Sequence, residues 1–323
     1  MCPLPFDQKV RRDASDGTWT LPLPGGGSTA ERHRRLCEIA RGDLSAARIA
    51  EAHTDALAIL AEANRQPRAA ALYGVWASEG PSSLIRAERA GSGLWHLSGT
   101  KQYCSGAPFV DAALVTAHAA EGILLFDVSL AAGLHIEPST WRTHALAETA
   151  TGPVAFDVTL PNDAVVGAPD WYLTRIGFWH GAIGPAACWA GGALSLIDAV
   201  RSLDRRGAHA RAHLGALEAL AWNLQTILEH AGREIDQDPA DHTHCAKRRA
   251  LICRHLIERQ AVEIMDRFGR ASGPQLLAFD EFAARQYAGL TVYIRQCHAE
   301  KDDEAIAETS ARSPEAPVRP RGA

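Results

Sequence analysis

No cysteine of this chain has an obvious partner. Seven are present, at positions 2, 37, 104, 188, 245, 253 and 297, an odd number with no CxxC pair. A disulfide framework or zinc ribbon is therefore not expected, and a reducing cytoplasm is. A basic surplus is missing as well: 33 Lys+Arg against 38 Asp+Glu leave a net charge of −5. Without a basic face, nucleic acid is excluded as the expected partner. No run approaches the roughly twenty apolar residues of a membrane span. The first thirty residues carry Asp7, Lys9, Arg11, Arg12, Asp13 and Asp16 among prolines and glycines, which is no signal-peptide core. What remains is a soluble chain of 323 residues, 46% apolar and 22% charged. Its length suits more than one domain, and folding should bury roughly three quarters of the unfolded surface without metal or disulfide.

Several catalytic signatures are also lacking. Gly25-Gly26-Gly27 follows prolines and no strand, so it opens no dinucleotide turn, and P-loop, HExxH and GxSxG patterns do not occur. His209 and His213 share a helix face but have no nearby carboxylate. His242, His244 and Cys245 sit in a polar loop beside Asp238 and Asp241. No metal is assigned to either group.

Residues 1–28, rich in proline and glycine, read as an arm. Helical periodicity fills 29–71, with a cap expected at Ser28-Thr29 and a stop at Pro67. From 72 to 168 the period shortens. Strands are predicted at 73–77, 84–89, 94–98, 112–117, 123–128 and 154–158, at the spacing of antiparallel neighbours. Apolar steps of three and four then recur through 169–301, the pattern of a four-helix bundle. Gly181, Gly184, Gly191 and Gly192 allow close backbone approach in its first part, and residues 302–323 read as a disordered polar tail. The fold class is α+β: a short helical segment, a central antiparallel β barrel or sandwich, and a helical bundle.

Two segments carry chemistry: Trp76-Ala77-Ser78-Glu79, and Ser98 through Lys101-Gln102-Tyr103-Cys104-Ser105 to Ala107. Each sets a hydroxyl beside an aromatic, a combination that suits the rim and face of a flat heteroaromatic ring. These segments resemble the "(T/S)E" and "NG.K.(W/F/Y).(S/T)(G/N)(G/A)" strands of the acyl-CoA dehydrogenase family. The likeness continues through Phe156-Asp157-Val158-Thr159-Leu160-Pro161, Val166-Gly167 and Tyr172-Leu173, and spans roughly residues 30–300.

The resemblance implies FAD between the β domain and the bundle, in a homodimer or homotetramer. It implies flavin contacts from Ser78, Tyr103 and Ser105, with backbone groups of Ala77 and Cys104 beside them. The activity implied is oxidation of the Cα–Cβ bond of an acyl-CoA or related thioester, electrons passing to an external acceptor. The chain departs from the family in lacking its "EGT" glutamate, its "R..FG....Q" and "Q..GG.G" segments, and the full Gly-rich turn after Glu79, where Ser82 and Ser83 stand instead. Candidate replacements for the glutamate are His180 and the pair Arg295 and His298, three apart on a helix. With that glutamate absent, a flavin-dependent monooxygenase of the same fold and a non-catalytic scaffold are the alternatives.

Overall fold

In the computed structural model the described residues are 4–80, 83–137, 141–203 and 207–311. Cys2, Ser82 and positions 312–323 of the expected tail lie outside them. The chain begins with three helices: α1 (Phe6–Ser15), α2 (Thr29–Gly42) and α3 (Leu44–Glu62). α1 occupies what composition predicts to be an arm. Its Phe6 and Val10, one turn apart, pack with Trp19 into the apolar interior of the sheet, and that tertiary contact outweighs the flanking prolines. Asp43 ends α2 and caps α3, accepting from the amides of Ser45 and Ala46. The expected cap at Ser28 forms differently. Asp236, distant in sequence, accepts from Gly27 N, Thr29 N and Thr29 Oγ1 at 3.1, 2.8 and 2.6 Å, while the Ser28 side chain makes no capping bond.

The sheet comprises β1 (Tyr73–Trp76), β2 (Leu84–Arg89), β3 (Leu94–Cys104), β4 (Ala112–Ala119), β5 (Gly122–Ser129), β6 (His135–Ile136), β7 (Gly152–Pro161) and β8 (Val165–Val166). The order is β6-β7-β3-β2-β4-β5-β8, with β1 beside β4. It is mixed rather than antiparallel throughout. β1 and β2 both run parallel to β4, because each reaches it by a long connection instead of a hairpin turn.

Beyond the sheet come α4 (Trp171–Thr174), α5 (Ile176–Gly181), α6 (Gly184–Arg201), α7 (Ala208–Gln237), α8 (Ala246–Ser272), α9 (Gln275–Phe279), α10 (Glu281–Tyr293) and α11 (Glu300–Ala311). α6 is the buried axis of the bundle, packed by α7, α8, α10 and also by α2. The stretch Ile176–Arg201 is long and apolar enough to cross a membrane, its most apolar 18 residues averaging a hydropathy of 1.4, yet 83% of those residues are buried as bundle core. α2 approaches so closely that a Cβ at Gly191 would strike the Cys37 carbonyl and one at Gly232 the backbone of Ala30. Residues 300–311 form α11, so 302–311 are helical where a disordered tail is predicted. Asp302 and Asp303 stand in its first turn, where carboxylates are favoured by the helix dipole, and the helix packs on α8.

Candidate functional site

A crevice of about 790 Å³ opens where the ends of β1 and β3 face α3, α5 and the α10–α11 connection. That size suits a small-molecule site. The sheet contributes Ala77, Ser78, Glu79, Tyr103 and Ser105. Between Lys101 and Cys104 the β3–β7 register shifts by one residue, a bulge. Lys101 and Cys104 therefore both enter the core, while Tyr103 swings out and stands 58% exposed.

Ser105 is polarised by a chain of hydroxyls. Thr149 Oγ1 donates to the Leu146 carbonyl at 2.7 Å, so the 2.8 Å contact between Thr151 and Thr149 uses the Thr151 proton. The 2.9 Å contact between Ser105 and Thr151 then uses that of Ser105. Ser105 Oγ is left as an acceptor. Behind the segment that follows β1, the buried Lys101 ammonium donates to Thr116 Oγ1 at 3.0 Å and to the Ser78 carbonyl at 3.4 Å. Burial pushes its pKa down, against the pull of Glu79.

On the helical side Arg48, Glu51 and Asp55, at spacings of three and four, share one face of α3. Glu51 Oε2 accepts from Arg48 Nη1 at 3.0 Å. Burial nevertheless raises the Glu51 pKa to about 7, with Arg48 opposing and the Asp55 charge adding to the rise. Asp55 makes no hydrogen bond or ion pair among the described residues. Tyr293 is buried, and its hydroxyl has the Cys188 thiol beside it but no nitrogen or oxygen partner. Tyr172, Phe178 and Trp179 add an aromatic wall, joined edge to face at 5.6 and 5.1 Å.

No family model and no curated protein matches the sequence. Solved structures do. The dibenzothiophene monooxygenase TdsC from Paenibacillus sp. A11-2 is 15% identical over 94% of this chain and 94% of its own, with TM-score 0.79, and TdsC is also solved with FMN bound. KijD3 in complex with FMN and an amino-keto sugar nucleotide is 17% identical over 94% of this chain and 86% of its own, with TM-score 0.78. The methanesulfinate monooxygenase MsuC from Pseudomonas fluorescens is 17% identical over 96% of both chains, with TM-score 0.76. The fold is that of the acyl-CoA dehydrogenase superfamily.

Set in the acyl-CoA dehydrogenase fold, the residues expected from sequence separate into two groups. Ala77, Ser78, Tyr103 and Ser105 line the crevice together, as do Arg295 and His298. Cys104 does not: its side chain is fully buried and directed to the Lys101 carbonyl. His180 does not line it either, although its neighbours Trp179 and Gly181 do. One residue's rotation about α5 turns the imidazole to the Pro239 carbonyl, at 3.1 Å, with Nδ1 unpartnered. Arg295 and His298 share no helix face, since α10 ends at Tyr293 and Arg295 lies in a following 3₁₀ turn. Arg295 pairs with Glu258 at 2.9 Å, and His298 with Asp302, which is buried instead of solvated. Ser83 is buried and donates to the Ser78 carbonyl, so its hydroxyl is already used. Glu51, Asp55 and Tyr293 carried no signal in the sequence.

Proposed function

We propose that this protein is a flavin-dependent oxygenase acting on a small organic molecule held in the crevice. The crevice itself carries the reading: about 790 Å³ between the hydroxyl-bearing edge of β3 and a buried carboxyl, Glu51, that titrates at about 7. The donor set suits a flat heteroaromatic ring. Tyr103 offers a ring face, Ser105 accepts from a ring N–H, and Ala77 and Ser78 bring the backbone that follows β1 to its rim. A bound flavin supplies two-electron transfer and reaction with dioxygen. The chain's own share is to seat the ring on the β3 edge, exclude water with the aromatic wall of α4 and α5, and move a proton at the Glu51 carboxyl. Removing such a general acid or base typically costs 10²–10⁴ in rate.

FMN is the flavin we favour over FAD, because the family's segments for pyrophosphate and adenosine are missing here. The FMN complexes of TdsC and KijD3 support that choice, and the monooxygenase names of TdsC and MsuC support oxygenation. Oxidation of an acyl thioester is the second reading, favoured by the strand motifs and disfavoured by the missing glutamate. Titration of the purified protein with oxidised and with reduced FMN tests the proposal. Binding is expected, and Tyr103→Ala or Ser105→Ala should weaken it about tenfold, near 1.4 kcal/mol. Failure to bind any flavin in either redox state overturns the reading. Anaerobic bleaching of the bound flavin by a panel of acyl-CoA thioesters replaces oxygenation with dehydrogenation.

A further inference from the structure

Every other charged side chain on the crevice wall is engaged. Arg48 is held by Glu51, Arg175 by Glu62, Arg295 by Glu258, and Arg254 by the carbonyls of Ala182 and Gln296. Glu79 is held by His118 and Asp302 by His298. Asp55 alone among the described charged residues of the lining has neither a hydrogen bond nor an ion pair. The guanidinium groups of Arg32, on α2, and Arg48 act on it through the packing, but the first donates to the Pro22 carbonyl and Thr54 Oγ1 and the second to Glu51. The backbone makes room for the carboxylate: a Cβ at Gly181 would stand 2.8 Å from Asp55 Oδ1. A second observation comes from another element. The Tyr293 hydroxyl, on a side chain 1% exposed, lines the same crevice without a nitrogen or oxygen partner.

We infer that the α3 end of the crevice is a subsite for the ammonium group of an amine substrate, anchored on Asp55, with Glu51 one turn back as the group that takes its proton. This rests on the oxygenase reading above. A half-buried carboxylate without a partner is costly unless a cation joins it. The ring of Phe178 in the same crevice offers the aromatic face that organic cations seek, for about 0.5–2 kcal/mol, whereas Tyr172 and Trp179 already carry Arg175 and Lys247 at 5.5 and 5.6 Å. An ammonium nitrogen has no lone pair to oxygenate, so a proton acceptor must stand close by. Glu51 as carboxylate takes that proton, leaving R–NH2 and Glu51–COOH. The balanced reaction is R–NH2 + O2 + reduced flavin → R–NHOH + H2O + oxidised flavin, with the flavin giving two electrons and two protons. Glu51 titrates at about 7, placed for such an exchange. The ionisable groups around it are Arg48 and Asp55 on α3, Arg32 on α2, Tyr172 on α4, Cys188 on α6, Arg254 on α8 and Tyr293 on α10.

Calorimetry at pH 7, on flavin-free and FMN-loaded protein, with benzylamine, benzyl alcohol and benzoate, tests the inference. Benzylamine should bind at least about tenfold tighter than the alcohol, or 1.4 kcal/mol. Asp55→Asn and Asp55→Ser should each erase that gap while leaving the alcohol's affinity in place, which also reports that the crevice is still formed. Benzylammonium beside Glu51 lowers the carboxyl's pKa, so binding should release protons, measured as different heats in phosphate and Tris buffers. Glu51→Gln should abolish that release and keep the preference for the amine. An amine no tighter than the alcohol, no binding by any of the three, benzoate bound best, or a gap that survives both Asp55 variants overturns the inference. FMN binding with no amine preference removes this inference alone. Amine preference with no flavin binding removes the oxygenase reading instead.

Discussion

Glu51 holds its proton to about neutral pH although Arg48 lies 3.0 Å away, since desolvation outweighs the guanidinium. Its folded pKa, about 7, exceeds an ordinary carboxyl's 4.5. The stability it contributes is therefore complete below about pH 4.5 and is lost as pH rises through 7. Glu51→Gln cannot ionise, so its stability relative to the parent should grow between pH 5 and pH 8, by up to about 1.4 kcal/mol per unit. Urea unfolding at pH 5, 6.5 and 8 measures this, and a pH-independent difference removes the buried-carboxyl account. Thr151→Val acts on a different wall. It frees the Ser105 proton and converts an acceptor into a donor, so the affinity ratio of reduced to oxidised FMN should fall about threefold or more, roughly 0.6 kcal/mol. Tyr103 and Ser105 were legible in the sequence because their motif is contiguous. Glu51 and Asp55 were not. On paper they belong to an ordinary charged stripe of a helix, and only the packing of the sheet on α3 turns that stripe into a crevice wall.

At the level of elements, β3 runs past the predicted stop at Ser98 to Cys104. The apolar alternation breaks at Gly99, and the bulge then sets the buried Lys101 and Cys104 three apart, which no period of two reveals. α1 and α11 were missed for a related reason: each is short and polar, and each is held by contacts distant in sequence. Of the four bundle glycines expected to admit a close backbone, Gly191 does so while Gly181, Gly184 and Gly192 face side chains, and the role of Gly191 can be measured. Gly191→Ala drives a methyl into the Cys37 carbonyl between α6 and α2, whereas Gly215→Ala on α7 meets nothing within 4 Å. The first should destabilise by about 1–3 kcal/mol despite alanine's better propensity. The second should stabilise by up to about 1 kcal/mol. Equal effects in thermal melts contradict the close α2–α6 packing.

For the molecule as a whole, acid is the weak direction. His33 donates to the Leu228 carbonyl, and His53 accepts from the Tyr73 amide. Burial lowers both pKa values from 6.5 to about 4. Their contribution is intact above 6.5 and is lost as pH falls to 4, opposed between 4.5 and 7 by Glu51. A net slope of about 1.4 kcal/mol per pH unit is expected below 6.5, steepening below 4.5 where Glu51 no longer compensates. Denaturant titrations across that range check it, and a flat profile contradicts the two neutral histidines. The three-part order of helices, sheet and helices was legible because periodicity changes sharply at its boundaries. The site's location was not, since it lies between parts and belongs to no single stretch of sequence.

α3 contributes Leu44 and Ala47 to the bundle interior, Ile49 and Ala50 to that of the sheet, and Ile59 and Leu60 to the layer that covers β1, β4 and β5. One rod is thus driven through three apolar interiors, and no severing of the backbone leaves either half closed. Calorimetric melting should accordingly give a single endotherm, and fragments expressed apart should not assemble folded halves of their own.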